Sequence, residues 1–426
     1  MQNKLAASII IYIAFFSVSV SGQKLVNSPY SRFNIGSLEP VGSVRSIGMG
    51  GVGTGIRDNS SIYYLNPASY SSIDTNSFIF DFGLDYGIYN LSDGSTHHFS
   101  DDMNFGHILL GFPVTKGLGI AVGLIPFTNG YYKITESVLS GDPEYDPVAG
   151  GYLSVHTGEG GFTKLFVGSG VNITKYLSAG INMTLIFGNI RRLNEIDFMD
   201  YYNMFHNNAT EKLQIAGINL EYGAQVNVPL RDSYFINAGM SFNSGKHYNS
   251  RYESLGYLFT AYSSVDTLYH ITDSTRAYLP GSLRIGLSFG KKNKFTAGFD
   301  YAQSNWSEAV ISGTGQYFGD TRSYRFGAEY IPDKFSNYSF VKRMEYRVGG
   351  HIEDTYLVID GESVRQFGVS IGVGIPMGRS LSKTNFFFDY SRRYGSDISK
   401  LHREDIFSAG VSLNLYDFWF LKQKYE

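Results

Sequence analysis

From Ser77 onward the chain repeats one pattern: apolar residues alternate with small or polar ones, a turn follows, and the alternation resumes. Phe407, Ala409, Val411, Leu413 and Leu415 share one face of such a run, and Ser408, Gly410, Ser412 and Asn414 share the other. Phe367, Val369, Ile371, Val373 and Ile375 likewise oppose Gln366, Gly368, Ser370, Gly372 and Gly374. Leu283, Ile285, Leu287 and Phe289 oppose Arg284, Gly286 and Ser288 in the same way. Period-two alternation makes a strand with two different faces. The runs begin near Ser77, Asp102, Gly117, Gly160, Tyr176, Glu211, Tyr234, Gly281, Lys294, Thr321, Arg343, Ser363, Lys383 and Asp405, which predicts fourteen strands. An even number of long strands with one apolar face and one polar, glycine-rich face is the signature of a transmembrane β-barrel. Closure is required, because no sheet edge is tolerated in lipid.

The links between runs alternate in length. Short ones lie near Val114–Lys116, Asn172–Lys175, Pro229–Ser233, Lys291–Asn293 and Pro376–Ser382. Long ones are expected at Tyr89–Asp101, Thr128–Gly150, Arg191–Thr210, Lys246–Pro280, Asn305–Asp320, Glu353–Glu362 and Tyr394–Glu404. Short periplasmic turns and long outer loops are the rule in such barrels. One link, Pro332–Lys342, falls on the periplasmic side and is nevertheless long.

Composition supports this picture. The 426 residues include 33 Tyr, 32 Phe and 49 Gly, no Cys, and a net charge of −3. Thiol catalysis and a disulfide scaffold are thereby excluded, and no basic footprint points to nucleic acid. Met1–Gly22 carries one early lysine, a short apolar core and a small-residue exit, the pattern of a secretory signal peptide cleaved after Gly22. The expected destination is the outer membrane.

Between signal and strands lies an arm, residues 23–76. Its stretch Arg45–Tyr70 is rich in glycine, passes through Asp58-Asn59-Ser60-Ser61, and runs through apolar Ile62–Leu65 into Asn66-Pro67-Ala68. Glycine runs and Asn-Pro give tight, irregular backbone. Such a segment cannot fold alone, so the barrel must enclose it. Gly48, Gly50, Gly51 and Gly53 fall inside a formal match to the dinucleotide fingerprint, but that motif needs a strand before it and a helix after it. A packed glycine-rich turn is the reading adopted, with no cofactor.

The arm ending in Asn66-Pro67-Ala68, ahead of fourteen expected strands, resembles the FadL-type outer-membrane transporters of long-chain fatty acids and other hydrophobic compounds. The resemblance spans the mature chain and implies an all-β, 14-stranded antiparallel transmembrane β-barrel (77–426) with an N-terminal luminal hatch (23–76). It implies a hatch motif at Gly48, Gly50, Gly51, Asn66, Pro67 and Ala68. It further implies a kink in the third strand opening a lateral path, for which Pro126, Phe127 and Gly130 are the candidates, facing the arm near Asn66–Ala68. A ligand groove on the third and fourth outer loops is also implied. The apolar clusters there supply Phe198, Met199, Tyr202, Phe205, Leu258 and Phe259 as candidates. Some relatives resemble shuttle proteins of the type IX secretion apparatus, which makes a role beside a translocon the alternative.

Other chemical signals are weighed against this reading. Gly-x-Ser-x-Gly occurs around Ser288 and Ser370, but both serines sit inside alternating strands and not on a strand-to-helix elbow. His97-His98 lacks metal-ligand spacing. The inward charges Asp81, Asp85, Glu221, Arg284, Asp300, Arg325, Glu329, Glu345 and Arg347 are expected to form cross-strand ion pairs in a wet lumen, with Arg284, Asp300 and Arg325 adjacent on three successive strands. The overall expectation is a non-enzymatic channel, without metal or cofactor, for passive uptake of small hydrophobic molecules. Its expected partners are outer-membrane lipid and lipopolysaccharide, a hydrophobic ligand, and in the alternative a secretion translocon.

Overall fold

A computed structural model describes residues 28–92, 97–143, 145–148, 150–199, 206–260, 263–315, 318–359, 361–378, 380–395 and 403–418. The segment read as a signal peptide lies outside these. The strands in chain order are β1 (Ser37–Leu38), β2 (Ser77–Ser92), β3 (His97–Thr115), β4 (Leu118–Asn129), β5 (Tyr132–Val138) and β6 (Tyr152–Asn172). Then come β7 (Leu177–Phe198), β8 (His206–Pro229), β9 (Tyr234–Asn243), β10 (Lys246–Thr260), β11 (Ser263–Leu279) and β12 (Ser282–Lys291). The last are β13 (Phe295–Ser304), β14 (Thr321–Tyr330), β15 (Glu345–Ile359), β16 (Glu362–Pro376), β17 (Lys383–Tyr394) and β18 (Arg403–Phe418). Their pairing is antiparallel throughout, and β18 closes on β2 from Arg403 opposite Ser92 to Phe418 opposite Ser77. The result is a closed fourteen-strand barrel with four additional strands, β1, β5, β10 and β11.

The alternation read from the sequence sorts the two faces as expected. Val369 and Ile371 are each 58% exposed on the outside, whereas Ser370 between them is 2% exposed inside. Leu287 and Phe289 point outward around the buried Ser288. The outer face is thus an apolar belt matched to hydrocarbon, and the barrel resides in an outer membrane.

The outer links depart from expectation. Glu353–Glu362 is not a loop: β15 runs on to Ile359 and β16 starts at Glu362. Tyr89–Asp101 is largely β2 and β3, Arg191–Thr210 is largely β7 and β8, and Lys246–Pro280 is the β10–β11 hairpin, whose β10 continues the wall by pairing with β8. The physical reason is solvent. Above the lipid no face needs to be apolar, so alternation fades from the sequence while the backbone ladder continues. The long Pro332–Lys342 link is ordered, with a helical turn at Phe340–Arg343.

The arm from Ser28 to Ile73 packs against the inward-facing glycines and side chains of the strands. Its first part, with Tyr30 and Ile35, joins Phe162, Leu213, Trp306 and Tyr356 in an apolar cluster in the outer half of the lumen. Its glycine-rich part touches the wall backbone to backbone. A Cβ added to Gly349 would stand 2.1 Å from the Gly50 nitrogen, and one added to Gly327 would stand 2.1 Å from the Met49 carbonyl oxygen. Such approach is open only to glycine. Gly349→Val is therefore expected to leave the barrel inserted and heat-modifiable on gels while displacing Gly48–Gly51. The check is faster protease cleavage of the arm in intact outer-membrane vesicles, with unchanged barrel yield.

Candidate functional site: the filled lumen and the third wall strand

The arm is held by charge. Arg45, on a one-turn helix (Val44–Ile47), donates from Nη2 to Glu329 Oε1 at 2.9 Å and from Nη1 to Asp58 at 3.0 Å and Ser61 at 2.7 Å. Glu329 on β14 accepts in turn from Arg347 on β15 at 2.7 Å. Arg347 also bonds Glu345, which accepts from Lys383 on β17 at 2.9 Å. Three cations and three carboxylates thus form one buried, neutral cluster joining arm to wall. Burial opposes the charge of Arg45, but Glu329, Asp58 and Glu345 outweigh it and hold the guanidinium well above its ordinary range. Against the same cost of burial, Arg45 and Lys383 hold Asp58 well below the usual carboxylate range.

The expected hatch residues take specific roles. Asn66 Oδ1 accepts from the Ala68 amide at 3.1 Å, and Asn66 Nδ2 donates to the Thr54 and Ala224 carbonyls at 3.1 and 3.0 Å. Pro67 opens the helical turn that follows. The amides of Gly53 and Thr54 both donate to Asp300 Oδ2 at 2.8 Å. The fingerprint-like glycine segment therefore presents amides to an anion, and that anion is the barrel's own carboxylate. The two serines of the Gly-x-Ser-x-Gly matches serve the arm as well. Ser288 Oγ donates to the Gly55 carbonyl at 2.8 Å, and Ser370 Oγ accepts from the Gly50 amide at 2.9 Å.

The triplet Arg284, Asp300 and Arg325 does not pair within itself. Asp300 lies opposite Arg325 in register, but its Oδ2 is taken by the arm amides. Arg325 bonds Glu353 at 2.8 Å, and Arg284 lies 3.8 Å from Glu221. The arm takes the carboxylate of Asp300, and the two arginines turn instead to wall carboxylates on β15 and β8. Arg45 itself was not singled out by sequence reasoning. The available signal was an arginine opening a glycine-rich apolar segment that had to be enclosed.

The third wall strand is broken. β4 pairs with β3 only from Leu118 to Leu124. Its end turns inward, where Asn129 and Thr128 pair with Ser37 and Leu38 of β1, and the Glu39 amide donates to the Phe127 carbonyl at 3.1 Å. Pro126 has no amide hydrogen to give, and the register along β6 shifts between Pro126 and Thr128, so Phe127 is a bulge. The strand resumes as β5, paired to β6. Among the described residues, no ladder joins Ile125–Val138 to the upper part of β3. The arm segment facing this break is Gly36–Glu39; Asn66–Ala68, expected there from the sequence, instead meets β6, β7 and β8.

A cavity of about 210 Å3 lies at the break, lined by Leu38, Pro126, Phe127, Phe166 and Trp306 together with Lys164, Glu221 and Arg284. The Lys164 ammonium sits 3.8 Å from the centre of the Phe127 ring, which stacks at 6.4 Å on Trp306. A second cavity of about 160 Å3 lies across Leu38–Val41, with Asp85, Asn129, His351 and Arg393 in its wall. A third, about 520 Å3, opens among the short turns and has Arg45, Asp58 and Glu329 at its inner end. Phe198, Met199 and Leu258 line none of the three. Phe198 packs on Tyr152 at 6.0 Å near the rim, Met199 is exposed, and Leu258 sits on β10. Tyr202, Phe205 and the Phe259 side chain lie outside the described residues. His97 is exposed and 3.4 Å from Asn90, and no metal-ligating group of three occurs among the described residues.

A family model described as BamG matches residues 1–426. The chain belongs to the BamG family. No curated protein matches it. Solved structures similar to this BamG-family barrel include a Pseudomonas aeruginosa FadL homologue, at 12% identity, 90% of this chain, 99% of that chain and a TM-score of 0.58. The Ralstonia pickettii toluene transporter TbuX aligns at 14% identity over 89% of this chain and 98% of that chain, with a TM-score of 0.55. The CymD monoaromatic hydrocarbon channel aligns at 14% identity over 90% and 98%, with a TM-score of 0.54. At these identities the likeness is one of fold, and it bears out the FadL-type architecture.

Two outcomes follow for the BamG-family arm. Arg45→Met removes the cation shared by Asp58 and Glu329, leaves the buried cluster with one carboxylate in excess although Glu329 keeps Arg347, and is expected to cost about 3–5 kcal/mol, read as a lower unfolding temperature in detergent. The second outcome is a pH effect. Burial, with Asp85 and Asp102 nearby, pushes the Glu39 carboxyl from 4.5 up to about 7. Below 4.5 the group is protonated whether the arm is docked or free. Between 4.5 and about 7 only the docked form holds its proton, so docking weakens as pH rises and the loss is complete above about 7. Protease cleavage of the arm is expected to accelerate across that window, and Glu39→Gln to flatten the profile.

Proposed function

We propose that this barrel is an outer-membrane channel for small hydrophobic molecules, which leave the lumen sideways through the third wall strand. The observation that carries the reading is the inward turn of Ile125–Asn129 beside a cavity whose wall combines apolar Leu38, Phe127, Phe166 and Trp306 with charged groups. Exit toward the periplasm would take an apolar solute past the buried ion cluster at Arg45. Sideways exit delivers it directly to the hydrocarbon layer, at about 25 cal/mol per Å2 of apolar surface. A wall opening is tolerable in lipid only where freed backbone groups find partners, and Ser37–Glu39 provides them. The solved channels and transporters of hydrocarbons share this fold, which makes the reading natural without assigning a ligand. Phe127 and Gly130 complete the proposed gate, with Asn66, Pro67 and Ala68 in the hatch.

A second reading, a barrel serving a larger envelope assembly such as a type IX translocon, is favoured by how firmly the arm is fixed and by the apolar cluster in the outer half of the lumen. Pro126→Val separates the two. It returns a backbone donor at the bulge, so a channel is expected to take up a hydrophobic fluorescent tracer severalfold more slowly, with barrel assembly unchanged. Uptake that does not respond to this change, together with a stoichiometric large partner on purification from native membranes, overturns the channel reading.

A further inference from the structure

Among the described residues, the link between β14 and β15 is the one periplasmic connection that is both long and apolar. It exposes Phe335 (73%), Tyr338 (fully), Phe340 (46%) and Val341 (59%). These side chains are displayed on an ordered frame. The Asp333 amide donates to the Lys342 carbonyl at 2.7 Å and closes the loop. Lys294 donates to the Pro332 carbonyl at 2.6 Å, Lys334 to Asn293 at 3.1 Å, and Arg343 to the Gly378 carbonyl at 2.7 Å, tying the loop to both neighbouring turns. A loop that only had to connect two strands would need neither the aromatics nor the ties.

Two observations identify what covers it. The loop is continuous with the lipid-facing belt: Phe326 and Tyr330 on β14 and Val348 on β15 are exposed on the same outer face, and Tyr346 bonds the Val341 carbonyl at 3.1 Å. Its charge is also one-sided, with Lys334, Lys342 and Arg343 against the single carboxylate Asp333. Aromatic rings beside basic groups, at the edge of an apolar belt, match the acyl and headgroup layers of an anionic leaflet. We propose that Lys334–Arg343 is a lipid-binding knob that inserts Phe335, Tyr338, Phe340 and Val341 into the periplasmic leaflet and gathers anionic phospholipid headgroups on Lys334, Lys342 and Arg343.

The test places a fluorophore on the knob. The full-length protein carrying Trp419→Phe keeps one indole, Trp306, which is buried in the lumen and serves as the internal reference. Tyr338→Trp is added, and the protein is reconstituted in nanodiscs containing acyl-brominated phosphatidylglycerol or, at the same fraction, brominated phosphatidylcholine. The expected result is quenching of the added indole but not of Trp306, about twofold stronger with the anionic lipid. Lys334→Gln/Lys342→Gln/Arg343→Gln is expected to abolish the difference while quenching persists. An added indole that neither lipid quenches overturns insertion and points to a protein as the cover. Equal quenching by both lipids in the parent overturns headgroup selection.

Discussion

The buried charge cluster around Arg45 is the interaction on which the interior depends. Charges inside a barrel are costly unless paired, and removing a single partner strands the rest. Here Arg45 and Asp58 from the arm complete a set whose other members, Glu329, Glu345, Arg347 and Lys383, come from three wall strands. The wall alone would hold two cations and two carboxylates. The arm adds one of each, so docking keeps the cluster neutral while bringing two charged ends to partners already in place. Arm and wall therefore specify one another: the register of β14, β15 and β17 decides where Arg45 lands.

Backbone contact does the rest. Small residues on the inner face of a barrel invite the interpretation of a wide pore, yet many of these are where arm and wall touch. Gly349 and Gly327 lie against Gly50 and Met49, Gly286 against Gly55, and Gly372 against Gly48. Ser288 and Ser370 bond the arm's backbone directly. A close-packed irregular segment carries polar groups that must be satisfied, and the inner face supplies serine, asparagine and aspartate at the points where the arm's amides and carbonyls arrive. Asp300 accepting from Gly53 and Thr54 is the clearest case.

This explains which parts of the molecule were legible in the sequence. Alternation is imposed by lipid on one side, so all fourteen membrane strands stand out between Ser77 and Phe418. Above the lipid the same strands continue through Asn90, Ser92, His97 and His98 without an apolar face, and there the pattern reads as loop. The β10–β11 hairpin is hidden for the same reason. Inward charges were visible one by one, but their partners were not, because Asp300 and Glu329 bond to arm residues 246 and more positions away in the chain. Periodicity reports the environment of a strand; it carries no information on which irregular segment fills the space beside it.

The break in the third strand and the position of the arm are one feature. Once Ile125–Asn129 leaves β3, its backbone groups have lost a wall partner. They recover partners from Ser37, Leu38 and Glu39. Those residues are themselves held between the apolar cluster at Tyr30 and Ile35 and the ion cluster at Arg45. Any movement that freed Ser37–Glu39 would leave the β4 end with unpaired carbonyls and amides, at a cost comparable to several lost hydrogen bonds. Re-pairing with β3 is hindered at Pro126, which has no hydrogen to donate. The end of β4 is thus held away from β3 by the same contacts that fix the arm, and a change in either is transmitted to the other through the Glu39–Phe127 bond and the β1–β4 ladder.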